Sequence, residues 1–440
     1  MVISRSAIRR QTFFVLCIMV YRTILEAYYL IFTKDFAYYG LIYEPRELIE
    51  STFSWICLVI SAYIVNVKMD RVSNSIHILL YLVCFVPSTV LYSMNQKLDG
   101  SYFYCLFLTF IVIGTQQYLF NGFKGVRQFS LSSANFKYLG LAIYLALWAL
   151  VIWQYGFKFQ IPSLSNVYEQ RELFKAAEVS TAMKYALSWL AGVLNIAFVL
   201  HAALRKKYAW VLFGLIGALY FFSLGGQKSY LFAAPFTLGI FALVSRFRND
   251  FNLALTLLFC ASLVLLLLFD QFAEKGYSLI SSLFIRRSLL LPSQIYYYYC
   301  EYFTENGLNL FAHTFLIKSV VNSPYQETAP VLIGERYFSF NADVYANGNV
   351  FADMFHNAGY FSYILISVLL PQVYMLIDYV SKNKPIPFTL PLLFMVAHVF
   401  INTGFVVTLV THGLLLGILV VGFYPNNFFK IERRLIQPHK

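Results

Sequence analysis

The chain has 440 residues, 59% of them hydrophobic and only 12% charged, with a mean hydropathy of +0.64. A soluble domain carries about 25% charged residues, so the composition excludes a soluble globular protein and points to an all-α polytopic membrane protein. The formal net charge of +12 reflects loops facing anionic membrane lipids, and nucleic acid is not an expected partner.

The first run begins after Arg5, Arg9 and Arg10 and resembles a signal peptide, but Arg22 and Glu26 follow with no small-residue cleavage site. A retained first span is expected, with Arg22 and Glu26, four residues apart, pairing inside it. Runs of about 17–25 apolar residues mark spans. Twelve are predicted, at 12–32, 48–67, 75–94, 102–121, 138–156, 185–203, 208–224, 230–245, 251–270, 359–380, 387–402 and 405–424. The last two form one apolar block, divided at Asn402-Thr403-Gly404, where the residues favour a turn. The six cysteines include no C-x-x-C pair, and five lie in apolar runs. They read as small buried hydrophobes rather than a disulfide frame or metal site.

Basic residues set the orientation. Arg5, Arg9 and Arg10, then Lys68 and Arg71, Lys124 and Arg127, Arg205 to Lys207, Arg246 and Arg248, Lys382 and Lys384, and Lys430 to Arg434 fall on one side. Both termini are therefore expected in the cytoplasm. Two longer links, 157–184 and 271–358, fall on the opposite side of what reads as a single membrane domain. The second is the largest stretch that a bilayer cannot hold as a simple spanning helix.

Four places in these links carry chemistry. In Ser278 to Leu291, apolar residues at Leu279, Ile280, Leu283, Phe284, Leu290 and Leu291 make a helical stripe that Arg286 and Arg287 interrupt. An interfacial amphipathic helix with its arginines at headgroup depth resolves that conflict. The guanidinium fork then meets either ordinary headgroups or one particular phosphorylated lipid. In Tyr168-Glu169-Gln170-Arg171-Glu172, Arg171 either pairs locally or joins the same anion. Leu224-Gly225-Gly226-Gln227-Lys228-Ser229 is either a plain turn or a backbone cradle for an anion, with Lys228 beside it. Asn349 is placed to cap the helix that becomes the tenth span, which puts Asp353, His356 and Asn357 on one face. Asp353 or His356 is then a candidate general base toward a sugar hydroxyl, or part of a cap network. Tyr298 and Tyr299, in a run of four tyrosines near Glu301 and Glu305, form either an aromatic belt or a stacking surface for sugars, and His313 and Arg336 lie in the same link. No H-E-x-x-H, G-x-S-x-G or D-x-D motif occurs, and no metal or cofactor is expected.

Taken together, these stretches resemble the O-antigen polymerases, the oligosaccharide repeat-unit polymerases of bacterial surface glycans. Leu224 to Ser229 is similar to the family's Gly-Gly-x-Arg/Lys turn, with lysine where arginine is frequent. Phe284-Ile285-Arg286-Arg287, with Pro292, Tyr298-Tyr299 and Tyr302-Phe303, resembles its Arg…Pro…Tyr…Phe segment, and the spacing to Pro292 favours Arg287 as the family arginine. Tyr168 to Arg171 is similar to its Tyr-x-x-Arg, and Asn349 to Gly359 to the stretch leading into its late span. The resemblance implies a C-type membrane glycosyltransferase fold in the bacterial inner membrane. It implies transfer of a growing glycan from undecaprenyl diphosphate onto a new lipid-linked repeat unit at the periplasmic face. Arg171, Lys228, Arg286 and Arg287 would hold the diphosphate, Asp353 or His356 would activate the acceptor, and Tyr298, Tyr299, Glu301 and Arg336 would hold sugars. A chain-length-regulating co-polymerase is a possible partner by the same resemblance. Two alternatives stay open: an O-antigen ligase that delivers glycan to lipid A core, and a flippase for the same lipid-linked sugar.

Overall fold

The computed structural model describes residues 5–119, 130–157, 159, 174, 179–314, 317, 320–338 and 344–426. Among these residues every regular element is a helix, with an isolated bridge between Glu44 and Asn95. Among the described residues, each of the twelve apolar runs falls largely on helix. In order they are α1 (Arg5–Phe36), α2 (Leu48–Ile64), α3 (Val72–Met94), α4 (Gly100–Leu119), α5 (Ser133–Tyr155), α6 (Thr181–Leu204), α7 (Tyr208–Gly225), α8 (Lys228–Arg246) and α9 (Phe251–Asp270). The long link then forms α10 (Leu291–Asn306), α11 (Ala329–Tyr337) and α12 (Val350–Ala358). After it come α13 (Phe361–Ser381), α14 (Ile386–Ile401), α15 (Phe405–Leu409) and α16 (Leu414–Phe423). Ten of the helical runs are long and apolar enough to cross a membrane, the last being Phe405–Phe423, whereas α2 and α14 are shorter. The chain is a multi-pass membrane protein.

Two expectations about the late spans change. The last span is broken between α15 and α16, where Gly413 takes φ +79° beside Trp189. The Trp189 indole N–H donates to the Val410 carbonyl and the Ser188 hydroxyl to that of Thr411, so the carbonyls freed by the break stay bonded. In addition, the helix that Asn349 caps is not the span itself. It stops at Gly359, at φ +56°, and the chain starts again as α13.

Chain contacts divide the protein into two compact units, each discontinuous in sequence. Unit 1 holds α1 to α4, α9 to α12, the first part of α13 and residues 400–405, and includes the long link. Unit 2 holds α5 to α8, the rest of α13, most of α14, and α15 and α16.

In unit 1, α1 buries Phe14, Ile18, Tyr21, Leu25, Tyr28 and Phe32 at alternating spacings of three and four, while Leu16, Val20 and Leu30 stay exposed. That is the pattern of a helix with one face on protein and one on lipid tails. Arg22 is fully buried and pairs with Glu26 at 2.9 Å, as the spacing anticipated, and also donates to Ser54. Unit 2 packs Tyr144, Val151, Leu187, Leu190, Tyr220 and Phe221 into a core. Asn195 ties it together, accepting from the Tyr144 hydroxyl at 2.9 Å and donating to the Gly214 carbonyl at 3.0 Å. All six cysteines are free.

Candidate functional site

One polar arrangement in the long link is built on α12. Asn349 caps it as the sequence predicts, its side-chain oxygen accepting from the N–H groups of Phe351 and Ala352, each at 3.0 Å. The cap fixes where the helix starts and so places Asp353 in its first turn and His356 one turn later. The Asp353 carboxylate accepts the Phe405 N–H at 3.1 Å. Gly404 packs directly on that carboxylate, and a Cβ there would overlap it unless the Asp353 side chain moved.

His356 is enclosed by the rings of Phe303 at 5.2 Å and Tyr299 at 5.9 Å between centroids. Its Nδ1 lies 3.9 Å from Asp353 Oδ1, too far for a hydrogen bond, and is buried without a partner. About a quarter of the Asp353 side chain is reached by solvent, yet its surroundings push its carboxyl up from 3.8 to about 6, against the pull of the Phe405 N–H. Burial moves the His356 imidazole the other way, down to about 3, with His313 adding to the effect. Near pH 7 the pair is a carboxylate beside a neutral imidazole. A carboxylate with an affinity for protons close to the working pH is a competent general base.

Asn357, on the same face, ties the link onto α12. It accepts the Phe311 N–H at 2.8 Å, and the Asn309 N–H donates to the His356 carbonyl at 2.9 Å. Leu310 and Phe311 both adopt left-handed backbone, at φ +50° and +61°. Such strain in non-glycine residues persists only where the surroundings impose it, and it clusters at binding and catalytic sites. No local pattern in residues 309–311 marks this strap. The residues that form it, Asn309 and Asn357, are recognisable only by what they hold in place.

The stripe expected at 278–291 is corrected. Leu279 and Ile280 are 75% and 62% exposed, whereas Ser282, Ile285, Leu289 and Leu290 are buried. The cause is a run of π turns over Ser282–Leu290, which advances by more than 3.6 residues per turn and rotates the side chains away from the α-helical stripe. Arg286 is thereby half-buried, its guanidinium 4.1 Å from the Phe36 ring and 5.2 Å from the Tyr39 ring, while its Nε donates to Ser282. Arg287 is exposed. Tyr277, beside Arg286, donates to Asp35 at 2.8 Å.

The tyrosines also depart from the expectation of a free stacking surface. Tyr296 to Tyr299 are all buried. Tyr298 stacks on Tyr337 at 4.0 Å and its hydroxyl donates to the Tyr39 carbonyl, while Tyr299 donates to the Ala346 carbonyl at 3.0 Å. Four consecutive helical residues point in all directions around the axis, so their joint burial means that this turn of α10 is surrounded by protein. Glu301 and Arg336 are exposed and lie close enough to interact, with Glu305 and Tyr337 in the same group, and burial raises the Glu301 carboxyl above its ordinary value.

Unit 2 carries the glycine turn. α7 ends at Gly225, Gly226 takes φ +61°, and Lys228 opens α8 with its side chain exposed. Phe174 packs on Gly225 and stacks on Tyr155 at 5.3 Å. Arg171, three positions before Phe174, lies outside the described residues. Of the expected site residues, then, Asp353, His356 and Tyr299 come together, Glu301 and Arg336 come together, and Arg286 lies against Phe36 and Tyr39 while its neighbour Arg287 is exposed. Compared with known proteins, the chain matches no family model, no curated protein and no solved structure.

Proposed function

We propose that the chain is a membrane glycosyltransferase of the O-antigen polymerase kind, acting on glycans carried by undecaprenyl diphosphate. The observation that supports this most is the Asp353–His356 pair. It is a carboxylate with a raised proton affinity beside a neutral imidazole, in a link between membrane spans. Asp353 is the base that takes the proton from the acceptor hydroxyl as the glycosidic bond forms. The diphosphate leaves from the donor sugar, and its growing negative charge requires fixed cations. Exposed Arg287 supplies one, and Arg286, oriented by Phe36 and Tyr39, supplies another. By the family resemblance alone, Lys228 and Arg171 are further candidate cations for the diphosphate. Glu301 and Arg336 face sugar hydroxyls, whereas Tyr298 and Tyr299 support the site through packing. The proposed setting is the bacterial inner membrane, with both termini cytoplasmic and the long link in the periplasm.

The ligase reading shares this architecture and can use the same base. The two differ in product. Cells without a polymerase carry single-unit surface glycan, whereas cells without a ligase carry none. Complementing a deletion strain with wild type, Asp353→Ala and Arg287→Ala, with equal protein levels, tests the roles. Restoration of a full glycan ladder by either variant would refute them.

A further inference from the structure

The first two turns of α3 read Val72-Ser73-Asn74-Ser75-Ile76-His77 and are buried, as is most of the helix. Asn74 and His77, one turn apart, share a face. Alongside them in unit 1 runs α4. The Arg71 guanidinium donates to the Gln117 carbonyl at 2.8 Å, and a Cβ on Gly114 would sit 3.7 Å from His77 Nε2. Asn74 and His77 on one helix therefore run level with Gln117 and Gly114 on the other. The His77 ring is walled by Phe110 at 5.7 Å and Tyr374 at 6.1 Å.

All three polar side chains are enclosed: Asn74 and His77 are 1% exposed and Gln117 is 6% exposed. Asn74 spends its amide N–H groups on the Lys68 carbonyl and the Asp70 carboxylate, both at 2.8 Å. Its side-chain oxygen has no protein partner. The same holds for both nitrogens of His77 and for both side-chain polar atoms of Gln117. These five buried polar atoms along one helix–helix seam have no protein partner, whereas nearly every buried polar atom bonds either to protein or to ordered water.

We propose that Asn74, His77 and Gln117 enclose a bound water cluster between α3 and α4, at the start of α3 and the end of α4. The atoms themselves indicate the ligand. A neutral imidazole presents one donor and one acceptor, Asn74 adds an acceptor, and Gln117 adds one of each kind. A set of mixed polarity suits a molecule that both donates and accepts. Arg71 and the Asp70 carboxylate bring opposite charges to this end of the seam, so neither a cation nor an anion is favoured over a neutral molecule. Buried water with about three polar partners is a normal part of a folded protein, and here it would join the two helices where the side chains do not reach each other.

X-ray hydroxyl-radical footprinting of the full chain in lipid nanodiscs, read by mass spectrometry, tests this. Radicals form from water beside the side chain, so His77 is expected to label at least fivefold faster than Phe85 and Phe103, which are equally buried in apolar surroundings. Gln117→Leu, or Gln117→Met if the leucine variant does not fold, is expected to slow labelling of His77 at least threefold. Labelling of His77 no faster than Phe85 would overturn the proposal. So would unchanged His77 labelling in a folded Gln117 variant.

Discussion

Asp353→Asn is expected to make the protein more stable at neutral pH while abolishing its activity. Raising the carboxyl from 3.8 to about 6, at roughly 1.4 kcal/mol per pH unit, corresponds to a penalty of about 3 kcal/mol on the folded state. Partial exposure of the side chain reduces that to about 1–3 kcal/mol. The sign follows from proton linkage. Between pH 3.8 and about 6 the folded chain keeps a proton that the unfolded chain has released, so stability falls as pH rises through this window. The whole penalty is then present at pH 7 and above. Asparagine can still accept the Phe405 N–H but carries no charge. The assay is thermal unfolding of both proteins in one detergent at pH 4, 5, 6, 7 and 8. The gain from asparagine should be near zero at pH 4, grow through pH 5 to 6 and level off above pH 7. A variant less stable than wild type at pH 8, or a difference independent of pH, would refute the reasoning about this carboxylate.

Other outcomes follow from the same geometry. Gly404→Ala places a methyl group against the Asp353 carboxylate and should lower turnover at least tenfold, because the base must shift to make room. Asn349→Ala removes two cap bonds and should destabilise by about 1 kcal/mol, read as a lower thermal midpoint. Arg287→Ala should cut glycan synthesis at least tenfold with an unchanged midpoint, since the side chain is exposed. Arg286→Ala should lower both, because Phe36 and Ser282 lose their contacts. The activity profile should show one acid limb near pH 6 from Asp353, and His356→Gln should leave that limb in place, because the imidazole stays neutral down to about pH 3.

Ten of the twelve expected spans fall on helices long and apolar enough to cross a membrane, legible because apolar runs of that length have few other readings, and the Asn349 cap was legible because its signal is local. The Arg22–Glu26 pair was legible for the same reason, being set by helical spacing alone. The rotation of the Arg286 segment was not. A period of 3.6 was assumed where π turns intervene, and nothing in Ser282-Leu283-Phe284-Ile285 announces the change. Tyr298 and Tyr299 were read as surface because tyrosine is amphipathic, yet their hydroxyls find carbonyls on distant segments, at Tyr39 and Ala346. Such partners are fixed only by the tertiary fold. The break before Gly413 lacks a proline to mark it, and Gly404 shows its purpose only once Asp353 is seen against it.

The central claim is that this chain joins lipid-linked glycans by itself. The direct measurement is incubation of the purified protein in detergent with undecaprenyl-diphosphate-linked repeat units, followed by separation of the products by length. A ladder of longer glycans is expected, absent with Asp353→Asn. If wild type leaves the repeat units unjoined under these conditions yet moves them across the membrane of a sealed vesicle, the protein is a transporter and the account is wrong.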